Sequence, residues 1–257
     1  MRNNSDLLID THCHLNDPVA FPDPASDIAE AQEARVEQLL VVGTEPSGWH
    51  RAIELAETFS QVHAIIGWHP NYTTYYKGTA ELEILLKHPK VVALGEIGLD
   101  YHWDYATPEQ QKAALSDQLA LAKRLEIPVV FHCREAYPDL LDLLEAQELH
   151  RYLFHCFAGD MNDARRAIAL GAYFGVDGPI TYKKADDLRE VIASIPQDRL
   201  VIETDSPYMP PVPFRGKPNK PAYVKFVNDG LAQTVGLTPE ACAQLTTENA
   251  KRFFSLP

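Results

Sequence analysis

The 257-residue chain has only four cysteines, Cys13, Cys133, Cys156 and Cys242, and no two of them form a CxxC pair. That excludes a disulfide-scaffolded secreted domain and makes the cytoplasm, with its reduced thiols, the expected compartment. No apolar run reaches the roughly 18–20 residues of a membrane span, and residues 1–10 lack the apolar stretch of a secretory leader. No membrane partner is therefore expected. Basic residues are also scarce. Lys and Arg total 23 against 36 Asp and Glu, a formal net charge of −13. A broad basic face that binds any nucleic acid by displacing counterions is excluded. The chain has no glycine-rich GxGxxG after its first apolar run, which argues against a dinucleotide-binding sheet. No linker-like segment interrupts it, so residues 1–257 are expected to form a single domain.

What is present is ordinary globular composition, 46% hydrophobic and 23% charged, arranged in a rhythm. Short, β-branched apolar runs recur at residues 7–9, 39–42, 62–66, 91–94, 129–131, 152–154, 172–176 and 200–202. Helical patterns separate them, at 28–34, 48–59, 80–87, 108–125, 140–147, 162–170 and 185–194, with two more at 223–235 and 239–254. Thr107-Pro108-Glu109-Gln110 reads as a helix N-cap with Pro in the first turn and a reciprocal Gln. Eight buried parallel strands alternating with helices over this length predict an α/β fold, a single-domain (β/α)8 TIM barrel. The alternative is an open doubly wound sheet.

In such a barrel the chemistry sits where strands end. The first strand runs into Asp10-Thr11-His12-Cys13-His14, the fourth into Gly95-Glu96-Ile97-Gly98-Leu99-Asp100, the fifth into His132-Cys133-Arg134, the sixth into His155-Cys156-Phe157 and the eighth into Glu203-Thr204-Asp205. One buried histidine is usually a satisfied core residue, and one strand-end Asp is often a helix cap. The coincidence at five of eight strand ends is what points to metal. Mixed imidazole and carboxylate donors suit zinc, manganese, iron or nickel, and carboxylate with water suits magnesium. Six ligands exceed the needs of one tetrahedral ion and would serve two. His50, His63, His88 and His150 fall away from the strand ends and read as surface or packing residues. Cys13, Cys133 and Cys156 each follow a proposed ligand, so strand alternation turns them outward, to pack rather than to coordinate. Glu203 would face inward one layer below Asp205, as a support for the site or as a buried structural acid.

These strand-end motifs, with Gly67-Trp68-His69-Pro70, Phe154-His155-Cys156-Phe157-Ala158-Gly159 and Glu203-Thr204-Asp205-Ser206-Pro207-Tyr208, resemble the TatD family of metal-dependent deoxyribonucleases, over residues 8 to 253. The resemblance implies a (β/α)8 metal hydrolase with His12, His14, Glu96, His132, His155 and Asp205 as ligands of two divalent ions (zinc, magnesium or manganese), Glu96 bridging them. It implies His69, Asp100 and Arg134 as cleft residues, and Arg215, Lys217 and Asn219 as a substrate-binding loop. That loop departs from the family's Arg-Gly-Lys-Arg-Asn-Glu-Pro at Pro218 and Lys220.

The expected activity is metal-dependent hydrolysis of DNA phosphodiesters, as a 3′–5′ exonuclease, on single-stranded, end or lesion sites. Glu96 and Asp205 are the expected catalytic residues, Asp205 orienting or deprotonating the attacking water. No obligate protein partner is expected. Hydrolysis of another ester or amide (a phosphotriester, lactone or aminoacyl ester) is the alternative, and a non-catalytic metal or nucleic-acid binder is a third reading. Residues 206–225 contain Arg215, Lys217, Lys220 and Lys225, no acid and six prolines, so a stiff, locally basic loop is expected at the mouth. Tyr72, Tyr75, Tyr76, Tyr101 and Trp103 supply aromatics on neighbouring loops, either as stacking surfaces for unpaired bases or as packing anchors.

Overall fold

A computed structural model describes residues 7–147 and 151–257. Eight strands alternate with helices: β1 (Leu8–Cys13), α1 (Pro24–Glu33), β2 (Val36–Gly43), α2 (Pro46–Thr58), β3 (Val62–Ile66), α3 (Ala80–Leu85), β4 (Val91–Asp100), α4 (Pro108–Leu125), β5 (Val129–Arg134), α5 (Tyr137–Glu145), β6 (Tyr152–Phe154), α6 (Met161–Ala169), β7 (Tyr173–Val176), α7 (Asp186–Ala193), β8 (Leu200–Ile202), α8 (Val224–Val235) and α9 (Pro239–Phe254). The sheet runs in the order β1 to β8 with every neighbouring pair parallel. Every expected apolar run is a strand. Side-chain caps mark the starts of α1, α2, α4, α6 and α9. Asp23 accepts from Ser26 N–H and Pro24 takes the first turn, so α1 begins before its apolar periodicity. Thr107 and Gln110 form the reciprocal capping box of α4.

The seam between β8 and β1 is thin. Cys13 and Ser206 make one isolated bridge. Around it, Asp205 N–H donates to His12 O at 2.9 Å, His14 N–H donates to Ser206 O at 2.8 Å, and the Thr11 hydroxyl donates to Ile202 O at 3.0 Å. The barrel is therefore nearly closed, as a TIM barrel, and its seam is built from residues of the strand-end motifs themselves.

Two apolar layers hold it. Inside the barrel, Ile9, Leu40, Val42, Ile65, Ala93, Val130, Leu153 and Val201 pack together, and Phe253, Phe254 and Leu256 from the end of α9 close the face where the strands begin. A larger layer fills the space between sheet and helices and includes Cys13, Leu39, Val41, Trp49, Phe131, Cys133, Phe154 and Phe174. Cys13 and Cys133 thus pack as alternation predicts. With one face sealed by aromatic side chains, the strand-end face is left for chemistry. No helix among the described residues is long and apolar enough to cross a membrane.

Candidate metal centre

The backbone irregularities of the barrel fall at this strand-end face. The β4–β5 register shifts between Leu94 and Ile97, around Glu96, and the β1–β2 register shifts between Asp10 and Cys13, around His12. Such bulges re-aim side chains. Cys156 and Asp205 have φ of +44° and +53°, a region that costs a non-glycine residue free energy. A β-carbon on Gly98 would collide with His132 O, so glycine there lets β4 lie against β5 beside the site.

Glu96, 3% exposed, is the hub. Its Oε2 is 3.3 Å from His12 Nε2. Its Oε1 is 2.6 Å from His155 Nε2, 2.8 Å from His132 Nδ1 and 3.5 Å from His69 Nε2. Asp205 Oδ1 is 3.2 Å from His14 Nε2 and 3.8 Å from His12 Nε2. The six residues expected as ligands are therefore brought together, with the two Glu96 oxygens facing different imidazole groups. Among the described residues donor atoms converge within 4.8 Å of one another in four sets: His12, Glu96 and His155; His12, His14 and Asp205; His69, Glu96 and His132; and His155, Cys156 and Glu203.

Outer hydrogen bonds decide which imidazole nitrogens are free to coordinate. His14 Nδ1 faces Val42 O at 3.2 Å, so it carries the proton and leaves the Nε2 lone pair toward Asp205. His132 Nε2 faces Asp100 Oδ2 at 2.8 Å, which leaves Nδ1 toward Glu96. His155 Nδ1 makes no hydrogen bond, lying 3.5 Å from Glu203 Oε1 at ion-pair distance, and its Nε2 faces inward to Glu96. His69 is the reverse. Its Nδ1 accepts the Asn71 N–H at 3.1 Å, so in the neutral ring the inward Nε2 carries a proton and is a donor. His12 is buried with neither ring nitrogen hydrogen-bonded. An orphaned buried polar atom costs about 1–3 kcal/mol. A cation held by His12 would remove that cost, so the donor set fits a divalent metal.

Electrostatics agree. Burial opposes charge on His155, yet Glu96 and Glu203 raise its pKa well above the ordinary imidazole value. Burial is likewise overcome at His14 by Asp205, and at His132 by Asp100 and Glu96, and both pKa values rise. His12 goes the other way, lowered by burial and by His155. Glu96 and Asp205 are pulled down by their imidazole neighbours despite burial. The imidazoles of His14, His132 and His155 and the carboxylates of Glu96 and Asp205 thus each favour charge on the other.

The remaining expected residues divide. Arg134 is exposed, its guanidinium 5.7 Å from the Trp103 ring centre. Arg215 and Lys217 are exposed on the loop after β8, with Arg215 stacked 3.9 Å over Tyr182. Asp100 and Asn219 differ from expectation. Asp100 is 1% exposed, paired with His132 and accepting from the His102 and Trp103 N–H groups, so it orients His132 instead of lining the cleft. Asn219 is wholly buried and donates to Thr204 O and Tyr208 O, which ties the loop to β8. Lys220 pairs with Glu30 of α1 at 2.6 Å, which removes part of the loop's free charge.

Strand alternation does not extend to Cys156. β6 ends at Phe154, so Cys156 lies beyond the pleat, and its Sγ sits 3.1 Å from Asp177 Oδ2 at the mouth. Asp177 was missed in the sequence, although it follows β7 as the other acids follow their strands. Burial raises its pKa to about 7. Glu203 is wholly buried beneath the site, accepting from Cys156 N–H at 2.5 Å. His50 and His88 pair with Glu81 and Glu57 on the surface, and His63 is buried in β3. His150 lies outside the described residues.

Comparison with known proteins agrees with this geometry. A family model described as TatD related DNase matches residues 9–255. The chain is 41% identical over 254 residues to the uncharacterized metal-dependent hydrolase YabD of Bacillus subtilis, covering 97% of this chain and 100% of that one. It is 34% identical over 239 residues to the 3′-5′ ssDNA/RNA exonuclease TatD of Pectobacterium parmentieri, covering 89% and 92%. The crystal structure of the TatD homologue YjjV from Escherichia coli superposes with a TM-score of 0.93 at 34% identity, covering 98% and 100%.

Proposed function

This chain belongs to the TatD family of metal-dependent hydrolases, and on that premise we propose that it is a deoxyribonuclease, one domain over residues 1–257, that removes nucleotides from the 3′ end of a DNA strand. The observation that carries this reading is the convergence of metal donors on Glu96 under a mouth that exposes Arg134, Arg215 and Lys217. The relative from Pectobacterium, named for single-stranded DNA and RNA, supports the substrate class.

The donor sets suit two divalent cations, zinc, manganese or magnesium. His12, His14, Asp205 and Glu96 Oε2 would hold one, and Glu96 Oε1, His132 and His155 the other. Bound cations would polarise the phosphoryl group and make a water molecule easier to deprotonate. The chain's own residues do the rest. Asp205, kept ionised by His14, orients the attacking water and takes its proton. His69 presents an Nε2 proton to a phosphate or leaving oxygen. Arg134, Arg215 and Lys217 hold the flanking phosphates, the arginines through planar forks. Asp100 holds His132 in the coordinating tautomer, and the Glu203 carboxylate lies beneath His155.

A substrate panel tests the reading. Metal-loaded protein is offered labelled single-stranded DNA and RNA, a phosphotriester, a lactone and an aminoacyl ester. Nucleotide release from the 3′ end is the expected result. Turnover confined to the small esters would move the activity to the alternative class, which the net charge of −13 favours.

A further inference from the structure

Nine large apolar side chains are exposed among the described residues, and eight of them stand on loops that follow strand ends. The exception is Ile84 on α3. An apolar surface gathered on one face of a chain otherwise rich in charge marks an interaction site. Five of the eight are aromatic, and four of these, Tyr72, Trp103, Tyr105 and Tyr208, make ring contacts that continue outward from the metal centre. Tyr208, 56% exposed, stands edge-on to His14 with ring centres 5.9 Å apart. Tyr72, 41% exposed, stands edge-on to His69 at 6.3 Å. Trp103 and Tyr105, 45% and 61% exposed, lie beside each other at 5.9 Å and 33°. The Thr74 hydroxyl donates to Tyr105 O at 2.6 Å, tying the β3 and β4 loops together.

Cations are interleaved with these rings. Arg134 lies against Trp103, and Arg215 is preset by stacking on Tyr182. Three of the acids nearby are engaged, while Asp104 between Trp103 and Tyr105 is exposed. Glu135 pairs with His102 at 2.7 Å, Glu45 caps α2, and Asp17 accepts from Val19 and Ala20 N–H.

We propose that Tyr72, Trp103, Tyr105 and Tyr208 form a stacking platform for the unpaired bases of a single nucleic-acid strand, with Arg134 and Arg215 on its phosphates. This rests on the nuclease reading and deepens it. Ring faces recognise any base, but only one outside a duplex stack. The −13 charge repels a long duplex, whereas a single strand led into the mouth meets rings and arginines first. The platform, and not base-edge hydrogen bonding, makes the enzyme selective for single strands and tolerant of sequence.

Tryptophan makes the test direct. Trp49 and Trp68 are 1% and 4% exposed, so emission that changes with ligand reports Trp103. Metal-loaded wild type, Trp103→Ala, Tyr105→Ala and Trp103→Phe are compared on a thymidine octamer and a dinucleotide. The expected result is quenching of wild-type emission by the octamer and not by a blunt duplex. In each alanine variant KM for the octamer should rise about ten-fold more than for the dinucleotide, with Trp103→Phe restoring most of it. Ile84→Ala is the control. Unchanged octamer KM in the alanine variants, or equal quenching by duplex, overturns the platform while leaving the nuclease reading intact. Quenching by the octamer without cleavage of any nucleic acid overturns the nuclease reading and keeps the platform.

Discussion

Replacing Glu96 by Gln keeps the volume of the side chain and removes the charge on which the centre converges. Four imidazole nitrogens lie 2.6–3.5 Å from that carboxylate. Losing a group that only supports a metal ligand costs about 10–100-fold in affinity, so losing one shared by both donor sets should cost at least about 100-fold. The effect can be read as stability. With metal at about 100 times its Kd, the wild type gains about 2.7 kcal/mol by mass action, which for a chain of this size is about 5–11 °C in Tm. At the same metal concentration Glu96→Gln would sit near its own Kd, gain about 0.4 kcal/mol and shift by about 1 °C. The assay is thermal unfolding of chelator-treated protein with and without added zinc or manganese, each variant against its own metal-free baseline. Retained metal per chain is measured after dialysis. Glu54→Gln on the exposed face of α2 should behave as wild type. A full metal-induced shift in Glu96→Gln would refute the assignment of Glu96 as the shared ligand.

Other expectations test different links. Asp205→Asn should leave the barrel folded, by circular dichroism and unfolding, and lower kcat by about 10³-fold; retained turnover would remove Asp205 from the proton transfer. Phe253→Ala, at the sealed end and 1% exposed, should cost about 3–5 kcal/mol and about 10 °C in Tm, with kcat at 25 °C unchanged; an equal loss of kcat would mean the two ends are coupled. His63 is lowered to about 4 by burial and by Lys90. Above its ordinary pKa of 6.5 it is neutral folded or unfolded. As pH falls from there toward 4, the unfolded chain takes up a proton that the native chain resists, so stability declines. Urea unfolding of metal-free protein should show His63→Gln losing less stability across that window, by on the order of 2 kcal/mol once solvent screening is allowed for; parallel curves would contradict it.

The strand and helix order was legible because the strands are short apolar runs and several helices, α1, α2, α4, α6 and α9, begin at a side-chain cap. The convergence of the six candidate residues was legible for a related reason. Once strands are placed, their ends define a face, and His12, His14, Glu96, His132, His155 and Asp205 lie at those ends. What the sequence hid depends on backbone geometry or on distant partners. Cys156 reads as an outward neighbour of His155 only if β6 continues, and β6 stops at Phe154. Asn219 reads as a loop residue open to substrate, but its amide is consumed by Thr204 and Tyr208. Asp100 reads as a cleft acid, but His132 claims it at 2.8 Å. The tautomer difference between His69 and His14 or His132 is invisible in sequence, because the Asn71 N–H donates to His69 whereas His14 and His132 donate to Val42 O and Asp100.

The most direct test is a 3′-labelled single-stranded oligonucleotide incubated with chelator-treated protein and with the same protein reloaded with divalent metal, bound metal being counted in parallel. The expected result is label released as mononucleotide only by the reloaded protein, at about two ions per chain. Contradiction would be metal-loaded protein that leaves DNA and RNA intact while hydrolysing a small ester, or nucleotide release that persists in the chelator-treated protein.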